Sequence, residues 1–180
     1  SFKAGLPIPT QNEGRGTLST VLHVATEIVL QPVAKSLTYI GRAVRGEEFV
    51  LKVGLLGAGR IAHVHARAIV RHARSELVAV SDVVAENAEK IASEYGADVR
   101  SSEEILDDKG IHAVLIASPT DTHADFIEAA AFAGKAILCE KPVDLSLERA
   151  KACQKTVASS DVPIMIGFNR FDEALFEPIQ

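Results

Sequence analysis

The 180-residue sequence contains no tryptophan, one methionine and two cysteines. Cys139 and Cys153 do not have CxxC spacing, and both lie among apolar or amphipathic residues. This usage argues against a disulfide framework and favours two buried thiols in a reducing compartment. We therefore expect a cytoplasmic protein.

The sequence also lacks any cluster of Lys and Arg, and its formal net charge is -5. A polyanion would find little electrostatic attraction here, so nucleic acid is not an expected partner. The most apolar early stretch, residues 18–30, is interrupted by His23 and Glu27 and stopped by Pro32. It is too short and too polar to cross a bilayer, so no membrane partner is expected.

Residues 1–49 differ in character from the remainder of the sequence. Residues 1–17 are rich in Pro, Gly and polar side chains, which predicts a loop. Apolar residues recur at helical spacing over residues 18–29, which predicts an amphipathic helix, and a second helical piece is expected over residues 33–44. We interpret this segment as a helical N-terminal extension that packs on the main domain or on a partner subunit.

From residue 51 onward, short apolar runs alternate with segments of helical periodicity, which predicts an α/β fold. The predicted strands lie within residues 51–57, 76–82, 112–119, 135–142 and 162–168. The predicted helices cover residues 61–72, 85–95, 102–106, 122–133 and 146–159, with glycines at positions 96 and 134 as stop signals. This order predicts a Rossmann-type doubly wound parallel sheet, with a ligand crevice at the carboxyl ends of its strands.

The first predicted strand runs into the turn GAGRIA and then directly into a helix. Gly57 permits a tight turn, Gly59 lets the backbone approach a pyrophosphate, and Ala62 allows the helix to pack closely on the strand. The first helical residues, Arg60 and Ile61, present backbone N–H groups and a partial positive charge to an anion. The turn therefore predicts a dinucleotide-binding site.

Asp82 ends the second strand about 20 residues after the glycine-rich turn, where an acidic residue accepts hydrogen bonds from ribose hydroxyls. Val83 and Val84 follow it, and neither can bind a 2'-phosphate, so the expected cofactor is NAD rather than NADP. The alternative is that Asp82 only caps the following helix.

The segment ASPTDTHAD follows the next long apolar strand. Ser118, Pro119 and Thr120 lie where a strand end meets the crevice, and they are candidates to contact the nicotinamide ribose or ring, with His123 in the first helical turn. On the alternative reading Ser118 and Pro119 form a turn, Thr120 or Asp121 caps the helix, and His123 is a packing residue. The two readings are compatible.

The run LCEKPV places Glu140, Lys141 and Pro142 at the end of another strand. Lys141 can point into the same crevice, where an ammonium group binds and polarises a hydroxyl during hydride transfer. Glu140 can orient Lys141 or contact the cofactor ribose; a surface ion pair is the alternative. A metal site is not expected, because His63 and His65 lie on different faces of their helix and no cluster has ligand spacing.

These motifs together resemble the amino-terminal half of the Gfo/Idh/MocA oxidoreductase family, and within it the members that oxidise inositol. The resemblance is carried by VGLLGAGRIAHVHARAI, LVAVSD, ASPTDTHAD, ILCEKPVDLSLERA and IGFNRFD, over residues 51–172. It implies a Rossmann domain over residues 50–170, NAD as cofactor, and oxidation of a secondary hydroxyl of a cyclic polyol or sugar. It also implies that Lys141 contacts both substrate and nicotinamide, and that Asn169 and Arg170 face the substrate.

The sequence departs from the family pattern in two places. It reads GFNRFD where the family has GFNRRFD, and residues 171–180 correspond only to the start of the family's C-terminal α/β substrate domain, which often builds the oligomer. That domain normally supplies an Asp and a His that act with the lysine. We therefore expect the chain to bind NAD but to be inactive alone; the alternative is a non-catalytic NAD-binding fragment or subunit.

Overall fold

The fold is described by a computed structural model, which defines residues 49–167. The strands are β1 (Leu51–Leu56), β2 (Ser75–Ser81), β3 (Asp98–Val99), β4 (Ala113–Ile116), β5 (Ala136–Glu140) and β6 (Ile164–Gly167). The helices are α1 (Arg60–Arg71), α2 (Ala85–Tyr95), α3 (Ser102–Asp107), α4 (His123–Phe132) and α5 (Leu147–Val157), and a 3-10 turn (Thr120–Thr122) precedes α4.

The six strands form one parallel sheet in the order β3-β2-β1-β4-β5-β6. The chain moves outward in one direction from β1 to β3 and then returns to the other side of β1 with β4. This reversal leaves a crevice between the carboxyl ends of β1 and β4, which is where open α/β sheets bind ligands. The prediction of a Rossmann-type doubly wound sheet is confirmed.

Two hydrophobic cores cover the two faces of the sheet. Helix α1 buries Ala62, Ala66 and Ile69 against one face. Helix α4 buries Ala124 and Ile127 against the other. Small alanine side chains at the contacts let both helices lie close to the strands, so their N-termini reach the crevice edge.

The strands and helices predicted from residue 51 onward are present in the described residues, and three details differ from the prediction. Strand β3 was not expected, because its two residues are both exposed and give no apolar signal. The cap predicted for α4 at Thr120 or Asp121 is wrong: the N-cap is Thr122, and it makes no side-chain capping bond. Strand β6, whose continuous apolar run predicts a buried strand, is only half-buried at the sheet edge.

The two cysteines are free thiols and both are buried, as predicted. Burial raises the pKa of the Cys139 thiol to about 12. Within residues 49–167, no helix is long and apolar enough to cross a membrane. The helices predicted in residues 1–49 lie outside the described residues.

Candidate active site

The glycine-rich turn between β1 and α1 lies against the loop that leaves β4. Gly57 has φ of +95°, and a Cβ atom there would lie 2.4 Å from the backbone nitrogen of Ser118. The N–H of Ala117 donates to the carbonyl of Leu56 at 2.8 Å, which joins the two strand ends. A side chain at position 57 would therefore separate the two walls of the crevice.

Gly59 serves a different purpose from Gly57. Its φ of -74° is accessible to any residue, and apart from its chain neighbours no atom of residues 49–167 lies within 4 Å of the Cβ position it lacks. It is the N-cap of α1, where no side chain caps the helix and no acidic residue stands in the first turn. An open backbone surface at an uncapped helix N-terminus fits a pyrophosphate. The amides of Arg60 and Ile61 begin this helix, and both side chains are exposed.

Asp82 connects the end of β2 to the glycine-rich turn. Its Oδ2 accepts a hydrogen bond from the N–H of Ala58 at 2.6 Å, and its Oδ1 accepts one from Val84 at 2.8 Å. The N-cap of α2 is Val84, which makes no side-chain capping bond, so Asp82 is not the helix cap considered from sequence. Each carboxylate oxygen keeps a second lone pair for a ribose hydroxyl.

A cavity of about 540 Å³ opens beside Asp82. Its lining includes Gly57, Asp82, Val83, Arg100 and Ser118. The guanidinium of Arg100 is held by Asp98 at 2.6 Å and by Asp108 at 2.8 Å. Those two carboxylates offset the positive charge of Arg100, which makes it a weaker partner for a 2'-phosphate than an unpaired arginine.

The loop after β4 forms the other wall of the crevice. The hydroxyl of Ser118 lies 2.7 Å from Oγ1 of Thr122, which also donates to the carbonyl of Pro119 at 2.7 Å. These bonds close the turn that starts the 3-10 segment at Thr120. Ser118, Pro119 and Thr122 line the cavity, whereas Thr120 does not. The cofactor contacts predicted for Ser118, Pro119 and Thr120 stay predictions.

Glu140 ends β5 and is bound by a histidine from α1. Its Oε1 lies 2.7 Å from Nε2 of His65, and both side chains are only 16% exposed. This hydrogen bond is the largest effect holding the pKa of Glu140 below its ordinary value. The carboxylate is therefore engaged beside the glycine-rich helix, and Lys141 follows it with an exposed side chain.

His123 lies beneath the crevice rather than on its surface. It is 2% exposed, with Nδ1 at 2.7 Å from the carbonyl oxygen of Pro142 and Nε2 at 2.9 Å from that of Ser118. Both ring nitrogens are occupied, so the cofactor contact predicted for His123 has no free ring nitrogen to make it. The ring instead joins the loop after β4 to the loop after β5, where the Lys141–Pro142 peptide is cis.

Sequence reasoning missed the partners of these residues. His65 and Arg100 were not predicted as site residues, although Arg100 lines the cavity and His65 binds Glu140. The alternation of apolar runs predicts that α1 and β5 belong to one α/β fold, but it does not predict that His65 meets Glu140. Asn169 and Arg170, predicted to face the substrate, lie outside the described residues.

Comparison with known proteins places most of this chain in one family. Residues 51–168 match the sequence model of the Gfo/Idh/MocA oxidoreductases, described as an oxidoreductase family with an NAD-binding Rossmann fold. The chain is 52% identical to inositol 2-dehydrogenase of Rhizobium meliloti over 120 residues, which are 67% of this chain and 36% of that protein. It is 41% identical to the NAD(+)-dependent scyllo-inositol 2-dehydrogenase of Bacillus subtilis, over 71% of this chain and 38% of that protein.

A solved structure supports the same family assignment. Scyllo-inositol dehydrogenase of Lactobacillus casei, crystallised with NAD(H) and scyllo-inositol, superposes with a TM-score of 0.64 at 30% identity, over 69% of this chain and 38% of that one. The chain thus spans less than two fifths of these relatives. NAD, the cofactor predicted from Asp82 and the glycine-rich turn, is the cofactor of this fold. The chain belongs to the Gfo/Idh/MocA oxidoreductase family, and its described residues form the NAD-binding Rossmann fold of that family.

Proposed function

We propose that the protein is an NAD-dependent dehydrogenase that oxidises a secondary hydroxyl of a cyclic polyol, of the inositol type, or of a sugar. The observation that carries the proposal is the position of Lys141. It is exposed at the carboxyl end of β5, next to Glu140, whose carboxylate is tied to the helix that follows the glycine-rich turn. The names of the relatives, which act on inositols, support the substrate class.

Within the described residues, we assign one group to the cofactor and another to the substrate. The backbone around Gly59 and the N-terminus of α1 would hold the pyrophosphate, and Asp82 the adenosine ribose. Bound NAD supplies the hydride acceptor. Lys141 would donate a hydrogen bond from Nζ to the substrate hydroxyl, which orients and polarises that group.

We expect residues 1–180 alone to bind NAD without reducing it, because hydride transfer also requires a substrate held against the cofactor. In the described region, Lys141 is the group we assign to the substrate. The family's Asp and His partners, and the substrate contacts proposed for Asn169 and Arg170, lie outside that region. We also propose a cytoplasmic protein, in keeping with two free buried thiols.

The test begins with calorimetric titration of the chain with NAD. The protein expressed from its native gene is then assayed for NADH formation with myo-inositol, scyllo-inositol and glucose. We expect Lys141→Ala to lower kcat about 100-fold or more, as loss of a polarising acid or base does. The matched control is Lys151→Ala, on the exposed surface of α5. NAD binding without reduction by any of these substrates would favour the non-catalytic NAD-binding module instead.

A further inference from the structure

We propose that His65 and His123 are positioning residues that hold the backbone on both sides of Lys141. His65 binds the residue before the lysine, and His123 binds the residue after it. The inference rests on the proposed function, because it explains how an exposed lysine is presented to a substrate.

The two histidines approach the lysine segment from opposite faces of the sheet. His65 belongs to α1, whose buried Ala62 and Ala66 are part of one hydrophobic core. His123 begins α4, which packs into the other core. The end of β5 is therefore fixed by side chains from both layers of the fold, rather than by contacts within its own loop.

On the first side, the contact reaches the lysine through a carboxylate. Nε2 of His65 lies 2.7 Å from Oε1 of Glu140, and Oε2 of Glu140 accepts a hydrogen bond from the backbone N–H of Lys141 at 3.3 Å. His65 thus fixes the rotamer of a carboxylate that in turn binds the lysine's own amide. Little solvent reaches the histidine–glutamate pair, since both side chains are 16% exposed.

On the other side, the contact is made directly to the backbone. The ring of His123 stands between the carbonyl of Pro142 and the carbonyl of Ser118. A carbonyl oxygen only accepts hydrogen bonds and a neutral imidazole carries one N–H, so the tautomer with its proton on Nδ1 is the one that donates to the carbonyl of Pro142. A buried polar ring is costly unless it is hydrogen-bonded, which makes a role as simple filler between α4 and the sheet unfavourable.

The benefit of two contacts follows from what a lysine must do in such a site. Its side chain is long and rotatable, so the precision of its ammonium depends on how well its backbone is held. Catalytic groups need placement to within about 0.5 Å by surrounding hydrogen bonds and packing. When Glu140 and Pro142 are fixed, only the side-chain torsions of Lys141 remain to be set when the substrate binds.

Stereochemistry allows the positioning role to be separated from packing. The amide nitrogen of Asn can replace Nδ1 of histidine, and that of Gln can replace Nε2. Because His65 uses Nε2 and His123 uses Nδ1 toward the lysine segment, His65→Gln and His123→Asn should retain the contact, whereas His65→Asn and His123→Gln should lose it. A packing role predicts instead that the larger Gln is better tolerated at both positions.

The measurement is the backbone ¹⁵N order parameter of Lys141 and Val143 in the 180-residue chain. We expect values of about 0.85 in the wild type and in the two retaining variants, and values falling toward about 0.6 in the two losing variants. His63→Asn and His63→Gln, two residues away on α1 and facing Glu94, are the controls and should leave both amides rigid. Equal effects of Asn and Gln, or a better Gln at both positions, would overturn the proposal.

Two further readouts keep the proposal testable if a variant is unstable. The amide of Lys135, whose side chain is buried, reports general loosening and should stay rigid in every variant. The imidazole ¹⁵N spectrum of the unmodified chain should show a proton on Nδ1 of His123. An unprotonated Nδ1 would overturn the positioning role proposed for His123. Because these signals are measured without NAD, failure of NAD titration would reject the proposed function and leave the positioning contacts standing.

Discussion

A Cβ atom on Gly57 would lie 2.4 Å from the backbone nitrogen of Ser118. Two turns that belong to neighbouring strands are therefore in backbone contact where the crevice opens. The first glycine of the turn is required by the protein's own packing, whereas apart from its chain neighbours no atom of the described protein lies within 4 Å of the Cβ position of Gly59. The same motif thus contains one glycine that the fold requires and one for which we propose a contact with the cofactor.

Alanine substitution should separate these two roles. Gly57→Ala combines a left-handed φ with a backbone clash, and we expect the free energy of unfolding to fall by about 3 kcal/mol. Gly59→Ala should cost less, about 1 kcal/mol, because alanine is a poorer N-cap than glycine, but it should weaken NAD binding about tenfold, because its methyl group would occupy the pyrophosphate surface. Urea unfolding and calorimetry measure the two effects. Equal destabilisation by both substitutions would contradict this assignment.

The selectivity for NAD should depend on Asp82. We expect Asp82→Asn to weaken NAD binding about tenfold, since a hydrogen bond to a charged group contributes about 1.5–3 kcal/mol. NADP should become less disfavoured, because the carboxylate that repels its 2'-phosphate is gone. NADP should still bind more weakly than NAD binds to the wild type, because Arg100 remains paired with Asp98 and Asp108.

Calorimetric titration of NAD and NADP into the wild type and Asp82→Asn measures these affinities. Asp161→Asn, in the exposed loop before β6 and so at the opposite edge of the sheet, is the control for loss of one negative charge. Unchanged NAD affinity in Asp82→Asn would remove the ribose role and leave Asp82 as a residue that only fixes the turn through Ala58.

Much of the fold follows from local pattern. Continuous apolar runs predict buried parallel strands, and the glycine-rich turn between a strand and a helix predicts the crevice, because both signals lie within a few consecutive residues. Strand β3 escapes prediction because Asp98 and Val99 form it through backbone pairing with β2 and bury no side chain.

The contacts inside the site could not be read from the sequence. His65 and Glu140 are 75 positions apart, and Ala58 and Asp82 are 24 apart. Their meeting depends on how far α1 is rotated on the sheet and where β5 stops, and neither quantity leaves a periodic trace in the sequence. A histidine on an amphipathic helix is as compatible with solvent as with a carboxylate.

The acid side of the stability profile should reflect Glu140. Its pKa is lowered in the folded state, first by the hydrogen bond from His65, so its contribution to stability is present above its ordinary value of 4.5 and is lost as the pH falls through the lowered value. We expect the free energy of unfolding of the wild type to decrease more steeply below pH 4.5 than that of Glu140→Gln. Glu89→Gln, on the exposed face of α2, controls for charge.

Denaturant unfolding at several pH values measures the two slopes. Parallel curves for wild type and Glu140→Gln would mean that folding does not lower the pKa of Glu140, so that the charge of this carboxylate adds nothing to stability through His65. The experiment is independent of NAD, so it examines the contact itself rather than its use by the active site.

Lys135 offers a contrasting case of a charge held inside the fold. It is 2% exposed, and its Nζ donates to the carbonyls of Asp108 at 2.7 Å and Ile111 at 3.0 Å. Lys135→Met leaves both carbonyls without that donor, and we expect it to lower the free energy of unfolding by about 2 kcal/mol at neutral pH. Lys151→Met, exposed on α5, should have little effect.

The difference in the free energy of unfolding between wild type and Lys135→Met should depend on pH, and its sign can be derived. Burial, the largest effect, lowers the pKa of Lys135 below its ordinary value of 10.5, so between the two values the unfolded chain binds more protons than the folded one. Stability contributed by this residue therefore rises with pH over that interval. The gap between wild type and Lys135→Met should widen as the pH approaches 10.5, whereas a gap that narrows would mean that the buried group prefers to be charged.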